Sequence, residues 1–310
     1  MPRMLIHRIF LSCIASCALS AMALAGPLVY VSNTLQFGTV DLSSGTFQQI
    51  GPDLPDPSQG LAYASNGSLF TLGFSGILNS IDPGSGVMTA IGATGLSDCS
   101  TPSSPCGPNS VNVVASLGGQ LYATDLQNRL YSVDPSTGAA SSIGLTGMPA
   151  IPFIPLSQNP DGTVNIYDEA FFEAGGELYA TLDAGNVDFA TGTLTPVIAG
   201  KLYRIDPATA IATPIGPTVF GLGAAVEVNG TVYAFLNVTH ELASLDLATG
   251  QTAVIGSFDQ NAGIASAAVV TPEPATNTVA LGLAVLFAAV WTRRRTPRVP
   301  RVGNQQHDRS

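Results

Sequence analysis

Ile81-Asp82-Pro83-Gly84-Ser85-Gly86, followed by Ile91-Gly92, decides the fold of this 310-residue chain. An aspartate before a Pro/Gly/Ser cluster starts a tight turn, because its carboxylate can cap backbone N–H groups. The apolar runs on either side are short and strand-like. The unit recurs at Val40-Asp41, Val133-Asp134, Ile205-Asp206 and Leu245-Asp246, and an x-Gly pair follows each (Ile50-Gly51, Ile143-Gly144, Ile215-Gly216, Ile255-Gly256). In all five copies the glycine lies ten residues after the aspartate, and successive aspartates are 41, 52, 72 and 40 residues apart. A basic unit of about 40 residues carrying two insertions is the signature of a propeller or solenoid.

The unit around Asp82 supplies four runs, at 60–65, 69–74, 77–82 and 87–91. Asn66-Gly67 turns the first two and the Asp82 turn joins the last two. Gly118-Gly119, Gly175-Gly176 and Asn229-Gly230 stand at the matching points of later units. Four strands per repeat make a propeller blade. The first unit lacks its inner strand, since Leu28-Val-Tyr-Val-Ser32 matches a second strand. The missing piece lies at the other end, where 263–270 resembles 60–65. The expected fold is therefore all-β: a five-bladed β-propeller of four-stranded antiparallel blades, closed by its C-terminal strand. Six blades would require a degenerate blade hidden in 145–167 or 183–199.

Composition agrees. Charged residues are 10% of the chain, with 33 Gly and 22 Pro, which suits short strands and tight turns. Between Gly26 and Pro274 only Arg129, Lys201 and Arg204 are basic against 20 carboxylates, a net charge near −17. Such a surface repels nucleic acid.

Both ends read as sorting segments. Arg3, His7 and Arg8 precede an apolar stretch over 9–19, and Ala23-Leu24-Ala25 supplies small residues before Gly26. This is the pattern of a secretory signal peptide, residues 1–25, cleaved before Gly26. At the other end stand Pro272-Glu273-Pro274, an apolar run near the short limit of a bilayer-spanning helix, and Arg293-Arg294-Arg295, which hold that end in the cytoplasm. In this order the three features resemble the PEP-CTERM sorting signal of Gram-negative bacteria. The resemblance covers the last ~40 residues. It implies recognition by an exosortase-type processing enzyme, transient anchoring in the inner membrane, and a final position at the cell surface or beyond. It implies location only, not activity. The chain departs from that pattern by continuing as a basic tail over 296–310. The expected organisation is thus signal peptide (1–25), propeller (26–270), sorting signal with transmembrane helix (271–295) and cytoplasmic tail (296–310).

Cys99 and Cys106 are the two cysteines left after signal removal, seven residues apart in one turn-rich loop. In an oxidising compartment they are expected to form a disulfide.

Little else carries chemistry. His240, beside Thr239 and Glu241, reads as a surface histidine in a turn. No nucleophile elbow, zinc-protease motif, phosphate loop or redox-cofactor motif occurs, so no cofactor is expected. Asp41, Asp82, Asp134, Asp206 and Asp246 lie one per blade, too far apart to share an ion, and read as turn caps; no metal is expected. Asp168 and Glu169 open the inner strand of blade 4, with Glu173 further along. Five-bladed propellers include glycoside hydrolases that use paired carboxylates at the channel mouth. Yet these three come from one blade, and the other inner strands offer Leu61, Ala62, Val113, Val114, Ala224, Ala225, Ile264 and Ala265. The long connections 92–110, 145–167 and 183–199 fall on one face by strand order, the face on which scaffold loops would bind a ligand. The resulting expectation is an exported binding or scaffold protein without catalysis, with an extracellular polysaccharide or a protein as ligand. The alternative is a glycan-active hydrolase using Asp168, Glu169 and Glu173.

Overall fold

The computed structural model describes residues 26–64, 67–96, 110–151, 158–188, 190–191, 193–259 and 263–269. Ala23, Ala25, Cys99, Cys106, Pro272, Glu273, Pro274 and Arg293–295 lie outside them. All of the described residues fall within one compact unit, 1–270. Among the described residues no helix is long and apolar enough to cross a membrane; the expected transmembrane segment also lies outside them.

The described chain forms twenty strands in five antiparallel four-stranded sheets. The first sheet contains β1 (Leu28–Ser32), β2 (Phe37–Asp41) and β3 (Phe47–Gln49). Blade 2 is β4 (Ser58–Tyr63), β5 (Leu69–Gly73), β6 (Ile77–Ile81) and β7 (Met88–Ala93). Blade 3 is β8 (Val111–Leu117), β9 (Gln120–Asp125), β10 (Arg129–Val133) and β11 (Ala140–Leu145). Blade 4 is β12 (Val164–Ala174), β13 (Glu177–Asp188), β14 (Thr193–Ile205) and β15 (Ala212–Pro217). Blade 5 is β16 (Leu222–Val228), β17 (Thr231–Leu236), β18 (Glu241–Leu245) and β19 (Thr252–Ser257). The last strand, β20 (Ser266–Val269), pairs antiparallel with β1 and supplies the inner strand of blade 1. It packs beside β16 and β4, so the ring closes with five blades.

The repeat aspartates do what their sequence context requires. Asp82 Oδ1 accepts the Gly84 and Ser85 N–H groups at 3.1 and 2.7 Å, and the Gly86 N–H donates to the Asp82 carbonyl at 2.8 Å. Asp41, Asp134, Asp206 and Asp246 accept from Ser43, Ser136, Ala208 and Ala248 at 2.8–2.9 Å. These bonds favour the ionised carboxylate and hold all five below the usual aspartate range.

Five apolar clusters fill the five spaces between neighbouring blades. Phe37, Leu61 and Leu69 sit between blades 1 and 2, for example, and Val31, Phe235 and Ile264 between blades 5 and 1. Each fully buried Leu, Ile or Phe is worth about 1.5–3 kcal/mol in transfer free energy. The stability of the ring is thus distributed over its seams, the fifth of which requires both chain ends.

Two expectations are corrected in blade 4. The inner strand opens at Val164, so Asp168 and Glu169 lie inside β12. Residues 183–199 are largely paired, from Asp188↔Thr193 to Ala184↔Ile198, as a hairpin prolonging β13 and β14. This hairpin belongs to blade 4 and so is not a hidden sixth blade.

Candidate functional site at the channel mouth

The inner strands alternate side chains between the two blade faces, and their small residues let the strands converge. At its waist the channel is lined by Gly60, Val114, Ala170, Gly223, Ala224 and Ala265, among others, leaving about 10 Å³. Sequence reading anticipated Val113, Val114, Ala224, Ala225 and Ala265 here; it missed Phe171, which blade 4 contributes. The channel is therefore plugged, and its two mouths are separate environments.

On the insertion face the mouth is ringed by buried polar groups. Ser32 Oγ bonds Ser266 Oγ at 2.7 Å and Ser58 Oγ at 2.9 Å, and Ser58 Oγ bonds Thr71 Oγ1 at 2.7 Å, which links blades 1 and 2. Thr124 of blade 3 donates to Glu169 Oε1 at 3.0 Å. Asn237, just beyond β17, donates to Asp168 Oδ1 at 3.2 Å. The same amide donates to the Ile264 carbonyl at 3.1 Å and accepts the Ile264 N–H at 3.0 Å. One asparagine thus ties the blade 4 acid to the start of the closing segment.

Asp168 and Asp183 stand directly opposite each other on β12 and β13. Directly opposed residues share a sheet face, and here that face meets blade 5. Asp183 is 0% exposed; its Oδ2 accepts the Gly221 N–H at 3.0 Å and its Oδ1 is buried without a hydrogen-bond partner. Glu169, one residue on from Asp168, points to the other face, toward blade 3. Burial, and secondarily the Asp168 charge, push Asp183 up to about 8 against the opposing Gly221 and Leu222 N–H groups. Burial raises Glu169 to about 8 against the Thr124 bond. It raises Asp168 as well, opposed by Asn237.

The three basic residues between Gly26 and Pro274 stand elsewhere. Arg204 pairs with Glu177 at 3.3 Å, Arg129 bonds Ser142 at an exposed position, and Lys201 is exposed. Glu173 is not part of this mouth. It lies toward the other end of β12, where its Oε1 accepts the Gly176 N–H at 2.8 Å, and it lines the opposite mouth beside Tyr63 and Ser116. The three carboxylates read together from sequence are thus divided between two ends and two blade faces. Asp183 joins Asp168 through strand register, which a segment read as a loop did not reveal.

Asp125 is a structural acid. Its Oδ1 accepts the Gln127 and Arg129 N–H groups, both at 2.9 Å, and its Oδ2 accepts the Tyr131 hydroxyl at 2.9 Å. Burial and this bond push Tyr131 up to about 12. Among the described residues no group of three or more His, Cys, Asp or Glu side chains is placed to hold a metal ion.

No protein-family model and no curated protein matches the chain. Solved structures do resemble it in backbone. The nidogen/laminin complex matches at 13% identity and a TM-score of 0.47, over 79% of this chain and 99% of that one. The PQQ-bound aldose sugar dehydrogenase of Streptomyces coelicolor matches at 15% and 0.38, over 76% and 66%. The extracellular domain of a hybrid two-component system protein from B. thetaiotaomicron matches at 15% and 0.35, over 77% of this chain and 28% of that one. Their roles are varied and include both enzymes and non-enzymes, so the likeness concerns the fold alone.

Proposed function

We propose that this chain is an exported, non-catalytic binding or scaffold propeller, sorted by its C-terminal signal to the cell surface or the extracellular matrix. The observation that carries the non-catalytic reading is the condition of the carboxylates. Hydrolysis of a glycoside needs two facing carboxyl groups about 5–9.5 Å apart with the sugar between them. Here Asp168 and Asp183 are opposed on neighbouring strands of one blade, Glu169 turns to the other face and bonds Thr124, and Glu173 lies at the far mouth. None of the four lines the narrow waist of the channel. Asp168, Glu169 and Asp183 bond groups outside their own sheet. Export and exosortase processing rest on the N-terminal signal pattern and the Pro272-Glu273-Pro274, apolar and Arg293–295 segments. The ligand classes are extracellular polysaccharide and protein.

Screening the exported protein on a glycan array, and assaying the bound glycans for new reducing ends, tests this. Binding without reducing-end release is the expected result. Turnover abolished by both Asp168→Asn and Glu169→Gln, with melting unchanged, would establish the hydrolase instead.

A further inference from the structure

Four seams of the ring share one contact. The glycine of an x-Gly pair packs against the end of the next blade's repeat turn: Gly51 on Gly86, Gly92 on Gly138, Gly144 on Ala210 and Gly216 on Gly250. The seam between blades 5 and 1 departs from this. Around Gly256 a Cβ would meet nothing within 4 Å, and the turn glycine Gly45 instead meets the backbone of Ser257. Ile255 of β19 is correspondingly 52% exposed, whereas Ile50, Ile91, Ile143 and Ile215 pack on the apolar clusters of the other seams.

The misfit leaves a cleft of about 390 Å³ between the Ser44–Thr46 turn of blade 1 and the Thr239–His240 turn of blade 5. That size lies in the range of small-ligand sites. Its wall includes His240, the one histidine of the exported region. His240 adopts φ +55°, a left-handed conformation costly for a residue with a Cβ, and its Nδ1 is buried without a hydrogen-bond partner. Its ring stands edge-on to Phe258 with centroids 5.9 Å apart, and its carbonyl accepts the Phe258 N–H at 3.0 Å. His240 lies in a turn, as its sequence context suggested, and is half-buried in the cleft wall.

The lining selects a ligand class. Ser44, Thr46, Thr239 and Ser257 bring hydroxyl groups, which both donate and accept. His240 supplies ring surface, backed by the buried Phe258, and among the described residues Asp259 is the single carboxylate. Among the described residues no lysine or arginine lines the cleft, in a region whose net charge is near −17, so an anion finds no cation there to hold it. One carboxylate is too few for a metal ion. A polyhydroxylated, uncharged ligand with an apolar ring face matches these groups. We infer that the blade 5–blade 1 seam cleft binds a neutral saccharide, a mono- or disaccharide unit of a glycan. The inference rests on the binding-module reading and names its site.

The test uses exported protein labelled with ¹⁵N at histidine, with the imidazole signals assigned through His240→Gln. Glucose, galactose, mannose, N-acetylglucosamine, maltose and cellobiose are titrated, with glucuronate as the anionic control. The expected result is a saturable shift of the His240 signals with at least one neutral sugar and none with glucuronate. Ser257→Trp, at an exposed rim position, should weaken binding by about tenfold or more with unchanged melting. Thr46→Ala, a smaller change, should weaken it several-fold and serves if the tryptophan variant does not fold. A sugar that gives saturation-transfer signals without moving His240, and equally in both variants, overturns the cleft while leaving a glycan-binding module. No saturable binding by any of the six sugars, or a glucuronate shift of equal size, overturns the saccharide assignment; the glycan array then decides the binding-module reading separately.

Discussion

Gly51 and Gly86 interlock across the seam between blades 1 and 2. A Cβ on Gly86 would fall under 3.0 Å from the Ile50 carbonyl oxygen, and one on Gly51 under 3.0 Å from that of Ser85. The obstacle is backbone in both directions, so no side chain can swing away. The two glycines belong to different copies of the repeat, and their contact explains why the sequence keeps both at a spacing of ten from Asp to Gly. The aspartate sets the turn, the turn presents one glycine, and the preceding blade's outer strand receives it with the other.

The seam between blades 3 and 4 provides an internal control. There Ala210 replaces the turn glycine, at φ +67°, and its Cβ lies 3.3 Å from where a Cβ on Gly144 would be. That seam has opened to admit one methyl group. Gly86→Ala should therefore destabilise by about 2–4 kcal/mol, combining about 1–2 kcal/mol for a left-handed alanine with a backbone clash. Ala210→Gly should be near neutral, because relief of the same strain offsets loss of a buried methyl worth about 0.8 kcal/mol. Urea melts of the two variants check this, and equal losses would mean that the seams do not differ.

Titration of Asp183, Glu169 and Asp168 gives the ring an unusual pH profile. Asp183 and Glu169 are raised to about 8 and Asp168 is raised as well, so between about pH 4 and 8 the first two hold protons that the unfolded chain releases. Stability is then fully present below about pH 4 and falls as pH rises, by up to about 1.4 kcal/mol per pH unit for each such group. The repeat aspartates oppose this only at the acid end, since their depressed values withdraw stability as pH falls below the normal carboxylate range. Melting temperature should therefore peak in mild acid and decline toward pH 8.5. Asp183→Asn removes the buried, half-satisfied carboxylate and should flatten the decline, melting above wild type at pH 8.5. A wild-type profile flat from pH 5 to 8.5 would contradict the burial argument.

Closure by β20 makes the last residues of the propeller indispensable. Ending the chain at Asn261 removes Ile264, Ser266 and Ala268, deprives Asn237 of its bonds to Ile264, and leaves Val29–Ser32 as an open edge. An unpaired apolar edge invites strand addition from another molecule. The shortened protein should aggregate or lose its cooperative melt, as read by light scattering and circular dichroism. A monomeric product with unchanged melting would refute closure.

What the sequence revealed were the features fixed by backbone requirements. The Asp turns, the glycines and the missing first strand each demand particular residue types, so ring and closure were readable. The prolonged β13–β14 hairpin was not. Pro196 interrupts its second strand, and a proline inside an apolar run argues against pairing. A signal was present nonetheless: Val187-Asp188-Phe-Ala-Thr-Gly192 repeats the turn pattern, and Asp188 accepts the Ala190 N–H at 2.8 Å as the repeat aspartates do. The Asp168–Asp183 pair depends on the register of β12 against the prolonged β13. The seam cleft depends on a mismatch between blade 5 and blade 1 that every copy of the repeat, read alone, conceals.

Sorting can be separated from anchoring by one substitution. Glu273→Ala removes the carboxylate between Pro272 and Pro274 and leaves the apolar run and Arg293–295 untouched. Orientation follows the basic residues, so the C-terminal segment should still insert with its arginines inside. If the Pro-Glu-Pro element is what a processing enzyme reads, wild type tagged at Ser310 should lose the tag from the propeller in a host carrying that enzyme, and the propeller should reach the exterior fraction. The variant should stay full-length in the inner membrane. A plain anchor gives identical full-length protein in both. A wild-type propeller still joined to its Ser310 tag in the native host would reject the sorting reading.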